Sequence, residues 1–407
     1  MILTRAVRPI ALAAAGLLCL GSLPGCSSAS QGEHAAEDVI RVGLIAPSTG
    51  ALAQFGADTI KAWKFAARQL NAAGGVAGKK MEIRVYETDG STARTVQEAR
   101  QAATKDGVGF LGAVMTGPEN QAVNSQLDSL GVLNFNATGN DDNLIAQDCN
   151  RNAFRSVTSS SMDLTALAGY VAGMPVKKWA ILAEDYSIGH SAAKTFTTDI
   201  ATAGGQVVQT QFAPLGTHDF GPYIAKLLDS GADGLFAVEY GADAVAFVQQ
   251  GTQYRLFDGF QQVVGMNLVS EPLFDAIGKS TLGFLANVNY AVDARNRANR
   301  AFVKQWTAEF GTRPYYVEAN TYLAAQMLIA GVAAAHSADP AKVREALAGL
   351  SFDSIAGRVT VRAADHQLLQ PSYVGKVVRA GKGFGWKILA RVPGSKTSSE
   401  PSPKCQL

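Results

Sequence analysis

Charge is scarce in this sequence. Only 17% of its 407 residues are charged, the formal net charge is +2, and no basic block interrupts the chain. This argues against the electrostatic footprint of a nucleic-acid-binding protein and points to a small molecule as partner. Histidine and cysteine are scarcer still. Five His and four Cys show neither HExxH nor CxxC spacing, so no metal site is supported and no cofactor is expected. The body of the chain also lacks a membrane-length apolar run: Tyr322 to Ala335 is too short, is interrupted by Gln326, and reads as a core helix. What remains is 47% hydrophobic and carries 41 Gly, as an ordinary globular protein with many strand-to-helix turns would. The length suits two medium domains better than one core.

The N-terminus reads as a targeting segment. Arg5 and Arg8 precede the apolar stretch Ile10 to Leu20, and Leu23-Pro24-Gly25-Cys26 resembles a bacterial lipobox. Residues 1–25 are then a signal peptide, Cys26 is the lipidated first residue of the mature chain, and residues 26–38 form a small, polar tether. Pro24 is not the commonest residue at its position, so plain secretion stays open. Either route exports the chain, to a periplasm where Cys26 anchors it to a membrane or where it is soluble. Cys149 and Cys405 are the two cysteines left in that oxidising compartment, where a pair normally bridges; two unrelated thiols are the alternative.

The run Val39 to Ala46 has the Val/Ile content of a strand buried on both faces, and breaks into the turn residues Pro47-Ser48-Thr49-Gly50. Ile60, Trp63, Ala67 and Leu70 then recur at helical spacing. Strand, polar loop and helix open a doubly wound parallel sheet, in which ligands meet the loops at the carboxyl ends of strands. The alternation continues through strands at 81–87, 108–114 and 132–135, with polar loops at Met115-Thr116-Gly117-Pro118 and Asn136 to Asp142. It restarts at Trp179 to Glu184 and runs through Gly234 to Tyr240 and Val263 to Gly265 as a second α/β sheet of about the same size. Helices at 295–310, 315–335 and 340–348 and three short strands precede a Pro/Ser/Lys tail at 393–407.

Three stretches in this order, Gly43 to Gly56, Asn71 to Gly78 and Asp185-Tyr186-Ser187-Ile188-Gly189, resemble the type I periplasmic solute-binding proteins, specifically the leucine/isoleucine/valine-binding family of ABC importers. The resemblance covers about residues 39–392. It implies two lobes joined by three crossovers, lobe one being 39–155 with 288–356 and lobe two 156–287 with 357–392, closing on a ligand by a hinge. It also implies a permease and an ATPase as partners and, by extension, a monomer. A ligand carboxylate would be held in lobe one at Thr116, Thr138 and Asn140, beside a helix N-terminus that favours anions. Thr116 as a mere helix cap and Asn140 as a turn residue are the alternatives. Phe55 matches an aromatic at the cleft mouth. In lobe two the matching positions are Tyr186, Ile188, Glu239, Tyr240 and Asn267, the last where amino-acid binders carry a Glu for the ligand ammonium.

Asn267 cannot neutralise an ammonium and Ile188 offers no cation–π attraction, so these positions favour an acid without a free ammonium, against branched-chain or other amino acids. Glu239 and Glu318 can oppose this by supplying the charge from another direction. Two other functions remain in view. One is a ligand sensor for a signalling partner. The other is a secreted hydrolase built on Ser191 in Gly189-His190-Ser191-Ala192-Ala193, weakened because Ser191 falls inside a helix instead of in the tight strand-to-helix turn.

Overall fold

The computed structural model describes residues 39–50 and 52–407. Cys26, the signal peptide and the tether lie outside the described residues. The first sheet has the order β2-β1-β3-β4-β5, all parallel. Its strands are β1 (Val39–Pro47), β2 (Lys80–Thr88), β3 (Phe110–Gly112), β4 (Leu133–Asn136) and β5 (Ala153–Arg155), alternating with α1 (Ala53–Ala72), α2 (Thr92–Thr104), α3 (Gly117–Asn124) and α4 (Leu127–Leu130). The single helix expected to run through Leu130 is therefore two.

The chain then crosses to α5 (Ser160–Ala172), β6 (Lys178–Glu184), α6 (Ser187–Thr202), β7 (Gln206–Ala213), α7 (Gly221–Leu228), β8 (Gly234–Val238), α8 (Gly241–Gln253), β9 (Gln262–Met266), α9 (Phe274–Ile277) and β10 (Leu285–Val288). It returns through α10 (Arg297–Phe310), α11 (Tyr316–Ala335) and α12 (Pro340–Leu347) to the hairpin β11 (Ser351–Ser354) and β12 (Gly357–Thr360). It crosses again to β13 (Ser372–Ala380) and β14 (Gly383–Val392), and ends after α13 (Gly394–Thr397). The second sheet, β14-β13-β10-β9-β8-β6-β7, is parallel except that β13 pairs antiparallel with both β10 and the edge strand β14.

Each sheet has its own core. In the first, Trp63 and Phe65 of α1 pack with Phe302, Trp306 and Leu323 under β1. In the second, Trp179, Phe196 and Phe236 pack together on one face, and Phe220, Phe247 and Leu256 on the other. α11 is buried along most of its length in the first core, which accounts for its near-continuous apolar sequence. The expected boundary at 357 falls elsewhere. Val359, Val361 and Leu368 belong to the first core, because β12 pairs with β11 and β11 packs on α11. The chain leaves that core only after Leu368. There it runs beside the earlier crossover: Gln367 Nε2 donates to Val157 O at 3.0 Å and Gln370 Nε2 to Ser156 O at 2.6 Å.

Both sheets begin their first strand–loop–helix unit with the same close approach. A Cβ on Gly56 would lie 2.1 Å from the carbonyl oxygen of Pro47, and one on Gly189 would lie 2.0 Å from that of Glu184. Only glycine lets each helix start that close to the end of its strand. Cys149 and Cys405 form a disulfide that fixes the tail after α13 has packed on α5. Among the described residues, no helix is long and apolar enough to cross a membrane.

Candidate functional site

The polar loops after β3 and β4 and those after β6 and β8 lie at the carboxyl ends of their strands. The loop after β4 reaches the start of α5: Ser160 N–H donates to Asn140 O at 3.0 Å, and Ser161 Oγ donates to an Asp142 carboxylate oxygen at 2.7 Å. Asp141 is also among the charges that act on Tyr186, just beyond β6. The loop after β4 is tied by these bonds to α5, which packs on β10 and β13 of the second sheet.

On the first-sheet side, Thr116 is the N-cap of α3 in a capping box. Its hydroxyl donates to Glu119 Oε2 at 2.7 Å and accepts from Glu119 N–H at 3.3 Å, while its own N–H donates to Glu119 Oε2 at 2.9 Å. Glu119 is buried and is further held by Thr95 Oγ1 at 2.7 Å. The one proton of the Thr116 hydroxyl is thus committed to the helix. Thr138 is committed likewise, its hydroxyl donating to Met115 O at 2.7 Å and so tying the two loops together. Asn136 shapes the second loop by accepting from the N–H groups of Thr138 and Gly139. Asn140 is half-buried and gives its backbone carbonyl to Ser160. Phe55, half-buried in the first turn of α1, stands outside the first core.

On the second-sheet side, β6 and β8 pair with Ala183 opposite Val238, which sets Glu184 and Glu239 side by side. Each is 1% exposed. Burial, then repulsion from Glu184 and Asp243, pushes the Glu239 carboxyl up to about 9. Burial, then repulsion from Asp243, pushes Glu184 up to about 7 against the N–H of Tyr240, which donates to Glu184 Oε1 at 3.3 Å. Tyr186 and Tyr240 are the N-cap residues of α6 and α8; Tyr240 is 49% exposed, and burial raises both phenols. Ile188 is half-buried in the first turn of α6.

Asn267 has a local reason to be asparagine. Its φ is 61°, a left-handed conformation that Asn tolerates better than most residues, and its N–H donates to Asn287 Oδ1 at 3.2 Å. Glu318 is taken by Lys61, whose ammonium also meets Asp58 at 3.0 Å, while Tyr315 Oη donates to Asp58 at 2.8 Å. Burial opposes the Lys61 charge, but hydrogen bonds to Glu318 and Asp58 outweigh it and hold the ammonium above its usual range. Of the two acids that sequence offered as a second charge, Glu318 is spent and Glu239 is not. Glu184 and Asp243 were missed. The signal available for Glu184 was an acid closing the apolar strand 179–184, as Glu239 follows the next; Asp243, in the first turn of α8, carried none.

Ser191 lies in the second turn of α6 and is exposed, not at the strand-to-helix turn that a nucleophile requires. Its neighbour His190 pairs with Asp185 at 2.8 Å and stacks on Phe212.

Residues 39–382 match the family model described as "Periplasmic binding protein". The chain is 26% identical over 355 residues to Leu/Ile/Val-binding protein homolog 6 of Brucella melitensis biotype 1, covering 85% of this chain and 89% of the relative. Two solved structures share the fold. The amino acid ABC transporter substrate-binding protein of Pseudomonas fluorescens Pf-5 has a TM-score of 0.82 at 19% identity, covering 91% of this chain and 99% of its own. The ABC transporter solute-binding protein of Rhodopseudomonas palustris BisB5, in complex with 3,4-dihydroxybenzoic acid, has a TM-score of 0.78 at 22% identity, covering 88% and 98%. With two α/β sheets joined through polar loops at their strand ends, this chain belongs to the periplasmic binding protein family.

Proposed function

We propose that this chain is the extracytoplasmic receptor of an ABC importer, tethered through a lipidated Cys26, and that it holds a small carboxylate-bearing solute between the facing strand ends. The observation that carries this reading is that the loop after β4 is hydrogen-bonded to the start of α5, which packs on β10 and β13 of the second sheet. On this reading the two loop sets are walls of one site. The solute carboxylate rests against the Gly117 N–H at the start of α3 and the Asn140 side chain, where the helix dipole favours an anion. Thr116 and Thr138 frame that contact by holding the loops. Tyr186, Ile188, Glu239 and Tyr240 meet the rest of the solute from the other side, with Phe55 at the edge. The relatives' ligands, an aromatic acid in one case and amino acids in the other, agree with a carboxylate as the common feature.

A thermal-shift screen of amino acids, aromatic acids and short carboxylates tests the proposal. A solute present at a hundredfold its dissociation constant stabilises the fold by about 2.7 kcal/mol. A screen in which neutral sugars or nucleosides give that stabilisation and no carboxylate does would refute it.

A further inference from the structure

The chain passes between the two sheets at 155–160, 288–297 and 368–372. Its tail passes between them once more. After β14, the edge strand of the second sheet, α13 packs on α5, whose Leu164, Leu167, Ala168 and Val171 lie in the second core. Gly394 and Thr397 are the buried residues of α13. A Cβ on Gly394 would lie 2.4 Å from Gln370 O, so α13 also rests on the third passage. Beyond α13 the anchors change sides. Ser399 O accepts from Arg362 Nη1 at 2.6 Å, and Arg362 follows Val361 of the first core. Arg362 is itself fixed by Asp365, whose Oδ1 accepts from its Nε at 2.9 Å. Cys405 is bonded to Cys149, which precedes β5 of the first sheet, and its sulfur lies 3.6 Å from Ala364 O. The tail therefore starts on the second sheet and ends covalently on the first.

From these anchors we propose that the tail is a fourth connection between the two sheets, a strap locked by the Cys149–Cys405 disulfide, which limits how far the sheets separate and so favours the arrangement that holds the solute. Two units with separate cores, joined by short chain passages, move relative to one another by default. The disulfide turns a loose polar tail into a tie of fixed length. That tie has little slack. Pro401 and Pro403 stiffen the segment 398–404, and its seven residues reach about 23–25 Å when fully extended. A strap that penalises wide opening raises the fraction of chains competent to hold solute, and with it the apparent affinity. This effect on affinity rests on the solute reading above; the limit on separation does not.

The test is small-angle X-ray scattering of the exported Cys26→Ser protein without solute, in three forms. These are the oxidised chain, the chain reduced with a phosphine, and an oxidised chain with six Gly/Ser residues inserted between Glu400 and Pro401. The insertion adds about 20 Å of reach and keeps the disulfide, so it slackens the strap without removing the bond. The reduced and slackened forms should both show a larger radius of gyration than the oxidised form. An equal radius in all three overturns the proposal. A larger radius in the reduced form alone also overturns it, because the bond then acts on the local fold of the tail and not through its length. If reduction unfolds the chain, seen as lost far-ultraviolet circular dichroism, the slackened form decides alone. With the strongest carboxylate from the screen, the slackened form should bind at least threefold more weakly; equal affinity overturns the strap's part in binding. A radius that grows in a chain binding no carboxylate upholds the strap and overturns the solute reading.

Discussion

Glu239 lies beside Glu184 at the ends of two paired strands, and each is buried to 1% exposure. Both carboxyls titrate far above an ordinary glutamate, at about 9 and about 7, through burial first and acidic neighbours second. Their folded values lie above the unfolded value, so between about pH 4.5 and 9 the folded state binds more protons than the unfolded one. Solute-free stability should therefore fall as pH rises through that window. His366 acts in the opposite sense: burial lowers it to about 4, so stability also falls as pH drops below about 6.5. Glu239→Gln should raise solute-free stability at pH 8 by about 1–3 kcal/mol and flatten the alkaline decline. Urea unfolding across pH 5 to 9 measures this; an unchanged slope would mean that Glu239 ionises without penalty.

Thr116 gives a second prediction. Its side chain closes a capping box at the start of α3. Thr116→Ala should lower stability by about 1 kcal/mol, the usual cost of a lost N-cap. Solute affinity should change less than threefold, because the hydroxyl proton already belongs to Glu119. A tenfold loss of affinity at unchanged stability would return the hydroxyl to the solute.

The disulfide gives a third. Cys149 and Cys405 close a loop with a sequence separation of 256, and the tail they fix carries the contact of Arg362 Nη1 with Ser399 O. Cys149→Ser with Cys405→Ser should lower stability by about 2–4 kcal/mol. Intact mass after alkylation without reductant should show no modified thiol in the exported wild type.

The tether gives a fourth. Cys26→Ser should move the protein from the membrane fraction to the soluble periplasm. Unchanged partition would leave simple secretion or another anchor.

The alternation of strands and helices was legible in the sequence because each parallel strand is an apolar run and each βα loop a cluster of turn residues. Gly56 and Gly189 stood out inside their motifs, though the close approach that demands them is visible only in three dimensions. Less was legible in the site. Glu184 reads as the last residue of an apolar strand, and only the parallel pairing of β6 with β8 brings it to Glu239. Asn267 looked like a missing charge, whereas its left-handed backbone accounts for the residue. The hairpin at 351–360 could not be assigned to a lobe from periodicity, because its few apolar residues say nothing of which core they enter.

The solute is proposed to sit between the strand ends of the two sheets. The most direct measurement is a thermal titration of wild type, Tyr240→Ala and Glu239→Gln with the strongest carboxylate from the screen. Tyr240 is half-exposed at the wall, so its truncation should leave the solute-free fold intact. The prediction is a rise of about 2.7 kcal/mol in wild type at a hundredfold excess over the dissociation constant, and affinity at least tenfold weaker in both variants. Equal affinity in all three proteins would place the solute elsewhere and contradict the account.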